Sequence, residues 1–380
     1  MKKTNIAIVI TRLDLGGAQK IALYLAENLD KKKFNVHLIA GKGGDLDIEA
    51  LKLIKKDVIV NLFNEIVHPI NLFYDSIAIF KLKDYFVKNK IDIVHTHSSK
   101  AGIVGRKAAY LAGVKKIIHT VHGFPFHKYQ NFFIHFIYVL IEKIFAFITD
   151  KLIAVGYDVM KYGLSKGVGN REKYGVIRPG VEINLFKKQK VNRKEYLAKY
   201  GLNPKLFTVG MIGNCKKQKN PEGFIEIAKK VLNENKDIQF VFAGGGKDLN
   251  KYKKIIKNQN LSNKIKFIGW IEEPEKFLKS IDLFLLTSLW EGLPCTLVQA
   301  VCAGKTCVAT DIDGNREFMQ QIGLHDYLFE PFDYYKAKEI IIKIKNKGQR
   351  KPKTSKLYEY DLKYTLNRYV EIYNNKVNKN

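Results

Sequence analysis

The chain has 380 residues, of which 46% are hydrophobic and 27% are charged. This composition can bury cores and excludes an intrinsically disordered chain, and the length suits two α/β domains better than one. The formal net charge of +28 is spread along the chain, which suits phosphate-bearing partners but equally fits a drift in composition towards lysine.

The first strand-like segment begins close to the N-terminus, at residues 5–11. Lys2 and Lys3 precede it as in a signal peptide, but Arg12 arrives too soon for the apolar region of one. The sequence contains no Cys-x-x-Cys pair, and no uncharged apolar stretch has the length of a membrane span. We expect reduced thiols at Cys215, Cys295, Cys302 and Cys307. These features predict a cytoplasmic protein with at most peripheral membrane contact.

Short β-branched apolar runs alternate with longer helical patterns. The strands predicted in the first half are residues 5–11, 35–40, 58–62, 91–95 and 117–121. The rhythm restarts after Arg178, Pro179 and Gly180, and the further strands are residues 207–212, 238–243, 265–268, 283–286 and 306–310. This alternation predicts two doubly wound parallel sheets, in domains 1–180 and 181–356, that face one another across a cleft.

The end of the chain follows a different pattern. The basic segment 347–356 is predicted to be a linker. Leu, Tyr and Val then recur at helical spacing, which predicts a closing helix at 357–376 that joins the N-terminal domain.

Two glycines, Gly16 and Gly17, follow the first predicted strand and precede a helix. Such a pair lets a backbone loop approach a substrate closely. His122 directly follows another predicted strand, within the segment HTVHGFPFH. A histidine at a strand end is more often structural, so by itself it indicates little.

The segment after the predicted strand 91–95 combines His97, Ser98, Ser99 and Lys100 at the start of a helix. Hydroxyls, free amides and an ammonium at a helix N-terminus form a cradle for phosphate. The alternative is helix capping by one of the serines, which would leave Lys100 in solvent.

Residues 129–148 are apolar around most of a helical circumference. Glu142 and Lys143 interrupt the run and argue against a membrane span. A surface helix that dips into lipid and a buried core helix fit this pattern equally well, so both interpretations stay open.

Two segments of the second half each follow a predicted strand and open a helix. The first, GNCKKQKNP at 213–221, carries lysines suited to phosphate. The second, SLWEGLPCTLVQAVCA at 288–303, has Gly292 for a sharp turn and Pro294 at a predicted first helical position. Amides at that helix start suit a diphosphate. Glu291 stands just before them, where it either accepts hydrogen bonds from sugar hydroxyls or is merely exposed beside an ordinary turn.

The segment 288–303 is similar to the signature of glycosyltransferase family 4, whose members share the GT-B fold. The resemblance implies that Glu291 contacts the transferred sugar and that Gly292, Leu293 and Pro294 lie on the donor. Gln299 stands where the family has a second glutamate, which binds the ribose. Glutamine still donates and accepts, so this departure costs about 1 kcal/mol, or one hydrogen bond.

The same resemblance gives roles to the other glycines and lysines of the second half. It implies that Lys219 binds the donor diphosphate and that Asn214 replaces the family's arginine. Lys216 or Lys217 then supplies the missing charge, and the sequence does not decide between them. Gly244, in the cluster AGGGK, is implied to lie close to the nucleotide base.

In the first half, the resemblance implies that Gly16 and Gly17 lie near the donor phosphate and that His122 touches the transferred sugar. The segments IVHTHSSKAGIVGR and HGFPFH resemble the subgroup that builds bacterial capsule, exopolysaccharide or O-antigen units on polyprenyl diphosphate. The acceptor-binding residues expected for that subgroup are His97, Ser98, Ser99 and Lys100.

The resemblance implies a retaining reaction without a protein nucleophile, in which the leaving phosphate oxygen helps to take the acceptor's proton. We expect no cofactor and no metal, because Lys219 and helix amides can stabilise the diphosphate. Two Asp-x-Asp triplets, at 45–47 and 311–313, match chance expectation. The expected partners are a nucleotide sugar, with UDP favoured on family frequency, a polyprenyl-diphosphate-linked glycan and the anionic inner face of the plasma membrane, but no nucleic acid.

Two other functions stay open. A non-hydrolytic nucleotide-sugar epimerase shares the fold but has no use for a lipid acceptor, which leaves residues 97–100 unexplained. A non-catalytic membrane-binding or nucleic-acid-binding protein is suggested by the charge and by Asn214 and Gln299. The charge is dispersed and no nucleic-acid motif accompanies it, which makes that interpretation the weaker one.

Overall fold

The computed structural model describes residues 2–67 and 70–375. It divides into two compact units: the first extends to Gly180 and resumes at Leu362, and the second runs from Val181 to Asp361. The division falls next to residues 178–180, where the strand rhythm of the sequence restarts. Each unit is an α/β domain built on its own parallel sheet.

The first unit alternates strands and helices along the chain. Its strands are β1 (Thr4–Arg12), β2 (Phe34–Gly41), β3 (Val58–Phe63), β4 (Ile93–His97), β5 (Lys116–Val121), β6 (Lys151–Ala154) and β7 (Tyr174–Val176). Its helices up to the division are α1 (Gly17–Asn28), α2 (Asp47–Lys52), α3 (Leu72–Lys88), α4 (Ser99–Leu111), α5 (Phe132–Phe147) and α6 (Tyr157–Ser165). The strands lie in the order β3-β2-β1-β4-β5-β6-β7, with parallel neighbours.

Alternate residues of β1 point into two separate cores, one on each face of the sheet. Ile6 and Ile8 belong to one core, and Ala7 and Val9 belong to the other. Because successive strand residues face opposite sides, a strand buried on both faces reads as a continuous apolar run. The run of residues 5–11 predicted as a strand has this character.

The second unit repeats the same plan. Its strands are β8 (Phe207–Ile212), β9 (Ile238–Ala243), β10 (Ile265–Gly269), β11 (Leu283–Leu286), β12 (Thr306–Thr310) and β13 (Leu328–Phe329). Its helices are α7 (Ile183–Lys188), α8 (Arg193–Lys199), α9 (Pro221–Glu234), α10 (Leu249–Asn258), α11 (Pro274–Ser280), α12 (Cys295–Cys302), α13 (Asp313–Gln321) and α14 (Tyr334–Lys347). The sheet order is β10-β9-β8-β11-β12-β13.

The chain returns to the first unit through α15 (Leu362–Asn374), whose Tyr369 and Tyr373 are buried in the core with β1. The predicted helix at 357–376 is wrong at its start, since residues 357–360 form a 3-10 turn of the second unit. Tyr360 holds that turn in place: its carbonyl accepts from Val181 N–H (2.7 Å) and its ring packs on Phe318. Position 376 lies outside the described residues.

The basic segment 348–356 is attached to the second unit, although the sequence suggests a linker. Lys353 N–H donates to the carbonyl of Ile322 (2.8 Å), and the Thr306 hydroxyl donates to the carbonyl of Arg350 (2.9 Å). These hydrogen bonds tie irregular backbone to α13 and β12.

Helix α5 lies at the surface, so it is not a buried core helix, whereas its insertion into lipid stays a prediction. Its inward side includes the buried Glu142 and Ala146. The exposed apolar side chains are Phe132, Phe133, Ile134, Phe136, Ile137, Leu140, Ile144 and Phe147. Within the part of the chain that the structure describes, no helix has both the length and the apolar composition for crossing a bilayer.

Candidate active site

Both sheets place predicted site residues at the point where the winding direction reverses. In the first unit this point lies between β1 and β4, and in the second between β8 and β11. Open α/β sheets bind ligands in the loops that follow such neighbouring strands. Gly16 and Gly17 follow β1 and Ser98 follows β4, whereas Lys219 follows β8 and Glu291 follows β11.

An ion pair joins Lys219 and Glu291 in the second unit. The Lys219 ammonium donates to Oε1 of Glu291, and the two side chains are only 14% and 9% exposed. Partial burial strengthens the attraction, because the surroundings are less polarisable than water. The structure therefore brings together a cation expected to bind the diphosphate and a carboxylate expected to bind the sugar.

Hydrogen bonds hold the turn that carries Lys219 against the end of β11. Leu289 N–H donates to the carbonyl of Gln218 (2.8 Å), and the Gln218 amide donates to the carbonyl of Trp290 (2.9 Å). The Thr287 hydroxyl donates to the carbonyl of Lys219 (2.8 Å). Sequence reasoning missed Gln218 and Thr287, because their partners lie about seventy positions away along the chain.

Lys216 shares the electrostatic environment of this ion pair. Partial burial of the ammonium and repulsion from Lys219 lower the pKa of Lys216, and attraction to Glu291 opposes them. Both Lys216 and Lys217 have exposed side chains, and Lys217 lies in the adjoining 3-10 turn. The electrostatic interaction with Lys219 and Glu291 favours Lys216 as the second cation, but the choice between the two lysines stays open.

Glycines permit close backbone contacts around the same loops. Gly244 has a φ of +152°, and a Cβ on it would lie 1.7 Å from the carbonyl oxygen of Gly213. A Cβ on Gly314, at the start of α13, would lie 1.7 Å from the carbonyl oxygen of Gly292. No larger residue fits either position without moving backbone. The Asn214 side chain packs near this turn, with its Oδ1 against another glycine of the 244–246 cluster.

Helix α12 begins one residue later than predicted. Pro294 has a ψ of 111°, which is extended and not helical, so it is the N-cap. Cys295 is the first helical residue. Leu293 is buried and Gln299 is half-buried on the helix. In the first turn, the Thr296 hydroxyl oxygen is buried and has no hydrogen-bond partner among the described residues, a feature that sequence reasoning missed.

Histidine rings meet at the ends of β4 and β5 in the first unit. Nδ1 of His97 lies 2.9 Å from Nε2 of His122, and the rings of His95 and His97 are 4.2 Å apart. Burial lowers the pKa of His122 to about 4, and burial together with the charge of His122 lowers that of His95 to about 3. Burial also puts the pKa of His97 well below its ordinary value. All three rings are therefore neutral at pH 7.

The predicted acceptor contact of His97 is contradicted by its position. The residue is fully buried, and the nitrogen that has a partner faces His122. A ligand has no surface of this side chain to touch. The predicted place of His122, directly after a strand, is the one found.

The other three acceptor-binding candidates lie at the start of α4 but are not equivalent. Ser98 has a φ of 64° with a ψ of 154°, a strained region for any residue but glycine, and its hydroxyl pairs with Thr11 Oγ1 (2.7 Å) instead of capping the helix. Lys100 is 8% exposed and its Nζ lies 2.6 Å from Oδ1 of Asp75 on α3. The alternative of a solvated Lys100 is wrong, since the side chain is buried and pairs with a carboxylate, whereas its predicted acceptor contact stays a prediction. Ser99 is half-buried at the first helical position.

The two Asp-x-Asp triplets are engaged by protein groups. Asp45 accepts from Leu15 N–H (3.0 Å), beside the Gly16 loop. Asp311 and Asp313 both pair with Arg316, at 2.6 and 3.7 Å. Across residues 2–67 and 70–375, no group of three or more His, Cys, Asp or Glu side chains is arranged to hold a metal ion.

Comparison with known proteins identifies both units. The model described as Glycosyltransferase Family 4 matches residues 15–185, and the model described as Glycosyl transferases group 1 matches residues 192–361. A UDP-Gal:α-D-GlcNAc-diphosphoundecaprenol α-1,3-galactosyltransferase of Escherichia coli is 32% identical over 323 residues, which are 83% of this chain and 82% of that enzyme. The capsular polysaccharide biosynthesis glycosyltransferase CapM of Staphylococcus aureus is 23% identical over 334 residues, 84% of this chain and 83% of CapM.

Solved structures share the fold. The Anabaena HepE protein in complex with UDP and glucose has a TM-score of 0.79 at 17% identity, covering 97% of this chain and 99% of HepE. A glycosyltransferase from Rickettsia africae has a TM-score of 0.77 at 20% identity, covering 100% of both chains. With both units matched by family models and a relative at 32% identity, the chain belongs to glycosyltransferase family 4, with the GT-B fold, in the subgroup that builds bacterial surface polysaccharides.

Proposed function

We propose that this glycosyltransferase moves a hexose or N-acetylhexosamine from a nucleotide diphosphate sugar, with UDP favoured, to a sugar on polyprenyl diphosphate. The observation that carries the donor half is the ion pair of Lys219 and Glu291 at the switch point of the second unit. A cation suited to a diphosphate there adjoins a carboxylate suited to sugar hydroxyls. The acceptor half is supported by the Escherichia coli relative, whose name specifies UDP-Gal and a GlcNAc-diphosphoundecaprenol acceptor.

We propose that the donor replaces the ion pair with two better contacts. The diphosphate takes the Lys219 ammonium, and Glu291, released from that ammonium, accepts hydrogen bonds from the donor sugar. This exchange leaves the ammonium paired with the phosphates and the carboxylate hydrogen-bonded to the sugar, so neither charged group in this partly buried site lacks a partner. Lys216 adds positive charge beside the same phosphates.

The proposed reaction retains the anomeric configuration and needs no metal ion. The bond between the anomeric carbon and the phosphate oxygen breaks, the acceptor hydroxyl oxygen bonds to the same face, and its proton passes to the leaving phosphate oxygen. Lys219 and the amides at the start of α12 stabilise the diphosphate that leaves. In the first unit, His122 is proposed to contact a hydroxyl of the sugar substrate.

The proposed contacts of the acceptor diphosphate are Ser99, Lys100 and the backbone amides that begin α4. Lys100 is paired with Asp75, a pair that a phosphate would open as the donor opens that of Lys219, and the amide of Ala101 already donates to Thr11 Oγ1 (3.0 Å). The amides ahead of Ala101 offer the partial positive charge of the helix to a phosphate.

The proposed location is the inner face of the plasma membrane, with α5 in the interfacial region. Phe132, Phe133 and Phe147 are 75%, 72% and 89% exposed, a large apolar surface for a water-facing helix. Lys128 and Lys143 are exposed beside them, and anionic headgroups attract such residues.

Incubation of the purified protein with radiolabelled nucleotide sugars and a polyprenyl-diphosphate-linked sugar tests the proposal. We expect label in the lipid fraction, a rate unchanged by EDTA and a product that NMR shows to keep the donor's configuration. An inverted product, or a rate abolished by EDTA and restored by Mn²⁺, would overturn the mechanism. Label found only in an epimer of the free nucleotide sugar would identify an epimerase instead.

A further inference from the structure

We propose that His97 is a positioning residue that holds His122 as its Nδ1–H tautomer, so that His122 presents a hydrogen-bond donor to a hydroxyl of the sugar substrate. The inference rests on the proposed sugar contact of His122. It replaces the acceptor contact predicted for His97 with a role that the residue can perform while fully buried.

The parallel register of β4 and β5 brings the two rings together. His97 lies opposite Thr120, two positions before His122. Residues two apart on extended backbone face the same side, so the His122 side chain projects to the same side of the sheet as Thr120. This is also the side of His97, the last residue of β4. The resulting distance between Nδ1 of His97 and Nε2 of His122 is 2.9 Å, that of a good hydrogen bond.

Only one of the two facing nitrogens, Nδ1 of His97 or Nε2 of His122, can carry a proton in their hydrogen bond. Burial lowers the pKa of both His97 and His122, so neither ring is charged at pH 7. A neutral imidazole has one N–H donor and one acceptor nitrogen. Either His97 donates from Nδ1, or His122 donates from Nε2.

The unpaired nitrogen of His97 distinguishes the two arrangements. Its Nε2 is buried and has no hydrogen-bond partner among the described residues. If His122 donated, His97 would have to carry its own proton on this Nε2, as a buried N–H without an acceptor. Buried donors without partners are rarer and costlier than lone pairs without partners. His97 therefore donates from Nδ1, and His122 accepts on Nε2 and carries its proton on Nδ1.

The His95 ring packs against the His97 ring. Both nitrogens of His95 are engaged, Nδ1 with the Tyr373 hydroxyl (2.6 Å) and Nε2 with the Thr120 hydroxyl (2.8 Å). The His95 ring, held in this way, packs at 4.2 Å from His97. The position of the His97 ring is thus supported by a ring that is itself anchored to α15.

NMR of protein labelled with ¹⁵N at histidine tests the tautomer directly, since the shifts of the two ring nitrogens show which one is protonated. We expect His122 to be protonated at Nδ1 in the wild type, with its signal assigned by its loss in His122→Gln. In His97→Phe, which keeps the ring but has no donor, the His122 signal should move towards the other tautomer. Loss of this hydrogen bond should lower kcat about tenfold, with little change in the KM for the nucleotide sugar.

Two further variants separate positioning from packing. His97→Asn places an amide donor near the position of Nδ1 and should restore most of the His122 signal and of kcat. His37→Phe is the matched control, because His37 is another buried histidine of the first unit and its Nδ1 contacts the Tyr85 hydroxyl (2.7 Å). It should leave the His122 signal and kcat unchanged.

A wild-type His122 protonated at Nε2 would overturn the proposal whatever the activities are. An unchanged His122 signal in His97→Phe would do the same. If the signals behave as expected but His122→Gln transfers sugar at the wild-type rate, the tautomer assignment stands and the proposed sugar contact of His122 is wrong.

Discussion

Lys219 and Glu291 neutralise one another in the second unit, and each has a separate proposed partner in the donor. Removal of either side chain leaves the other charge largely buried without compensation, which is costly. The two substitutions should nevertheless differ in their effects on binding and on turnover, because only Lys219 is proposed to hold the nucleotide's phosphates.

In Glu291→Gln we expect UDP affinity to stay within a few fold, because Lys219 and the α12 amides remain. The value of kcat should fall by about 10²- to 10³-fold, because the carboxylate acts on the sugar. Lys219→Ala should weaken UDP binding and lower kcat as well. Calorimetry with UDP and steady-state kinetics measure the two effects.

Lys251→Ala is the control for these variants. Lys251 pairs with Glu222 in the same unit, but both side chains are 55% exposed. Exposed pairs contribute little, so this variant should keep the wild-type constants. If Glu291→Gln and Lys219→Ala also kept them, the donor site would lie elsewhere.

The sequence allowed us to predict which residues lie at the ends of the strands. It did not allow us to predict which side chains they contact. Gly244 has to be glycine because of a local turn, and the glycine-rich sequence AGGGK already indicates such a turn. The burial of Lys100 was not foreseen because Asp75 lies on a different helix, and the burial of His97 was not foreseen because His122 comes from a neighbouring strand end. Such contacts arise from packing between elements that no local pattern specifies.

Among the elements, α5 combines an exposed aromatic face with a buried polar anchor. The anchor is the ion pair of Arg106 on α4 with Glu142, 2.9 Å apart, with side chains 0% and 2% exposed. Arg106 also lies 5.3 Å from the ring centre of Phe145. Glu142, which interrupts the apolar run in the sequence, thus faces inward and fixes which side of α5 faces water.

For lipid binding, we expect that Phe132→Ser combined with Phe133→Ser will weaken binding to vesicles of phosphatidylglycerol about tenfold or more. Each aromatic side chain withdrawn from water contributes roughly 1.5–3 kcal/mol when fully buried, and interfacial insertion yields part of that. Flotation of the protein with the vesicles measures the binding. Phe332→Ser, at an exposed phenylalanine of the second unit, is the control. Undiminished flotation of the double variant would refute the role of α5.

For the anchor, we expect Arg106→Met or Glu142→Leu alone to lower the free energy of unfolding by about 3–5 kcal/mol, because each leaves a buried charge unpaired. The double variant should recover most of that loss. Urea denaturation measures all three variants. Arg368→Ala, which removes an exposed pair with Glu371, should cost less than about 1 kcal/mol. Additive losses in the double variant would contradict this account.

Long apolar runs predicted the bounds of the central strands to within a few residues. The short strands were not predicted. β6, β7 and β13 have four, three and two residues, too few for a periodic pattern to appear. They are strands because a neighbouring strand offers them hydrogen bonds. The closing helix was found by its spacing, but its start depends on where Tyr360 packs.

Across the whole molecule, the two units should respond differently to acid. Burial lowers the pKa of His37 and of His122 to about 4, and that of His95 to about 3. The second unit has one histidine, the exposed His325. Between pH 4 and 6.5 the unfolded first unit binds more protons than the folded one, so its stability is full above pH 6.5 and falls as the pH falls.

We expect the first unit to lose at least about 3 kcal/mol of unfolding free energy between pH 7 and pH 5, because several buried rings contribute to the loss together. Both tryptophans, Trp270 and Trp290, lie in the second unit. Urea unfolding followed by circular dichroism should therefore begin before the change in tryptophan fluorescence at pH 5, and the gap should narrow at pH 7. His37→Phe should make the pH dependence shallower. Coincident transitions at both pH values would contradict the expectation.

The return of α15 to the first unit also sets an order of events during synthesis. Tyr369 and Tyr373 complete a core whose strands leave the ribosome first, and roughly 180 residues of the second unit are translated in between. At bacterial elongation rates this interval lasts about 10–40 s, long enough for the second unit to fold by itself. During this interval the nascent first unit lacks Tyr369 and Tyr373, and the apolar surface that they cover is exposed on its sheet. Chaperones that act at the ribosome can bind such a surface. His95 gains its Tyr373 partner only after this interval, so the His95–His97–His122 array is complete only once α15 has been made.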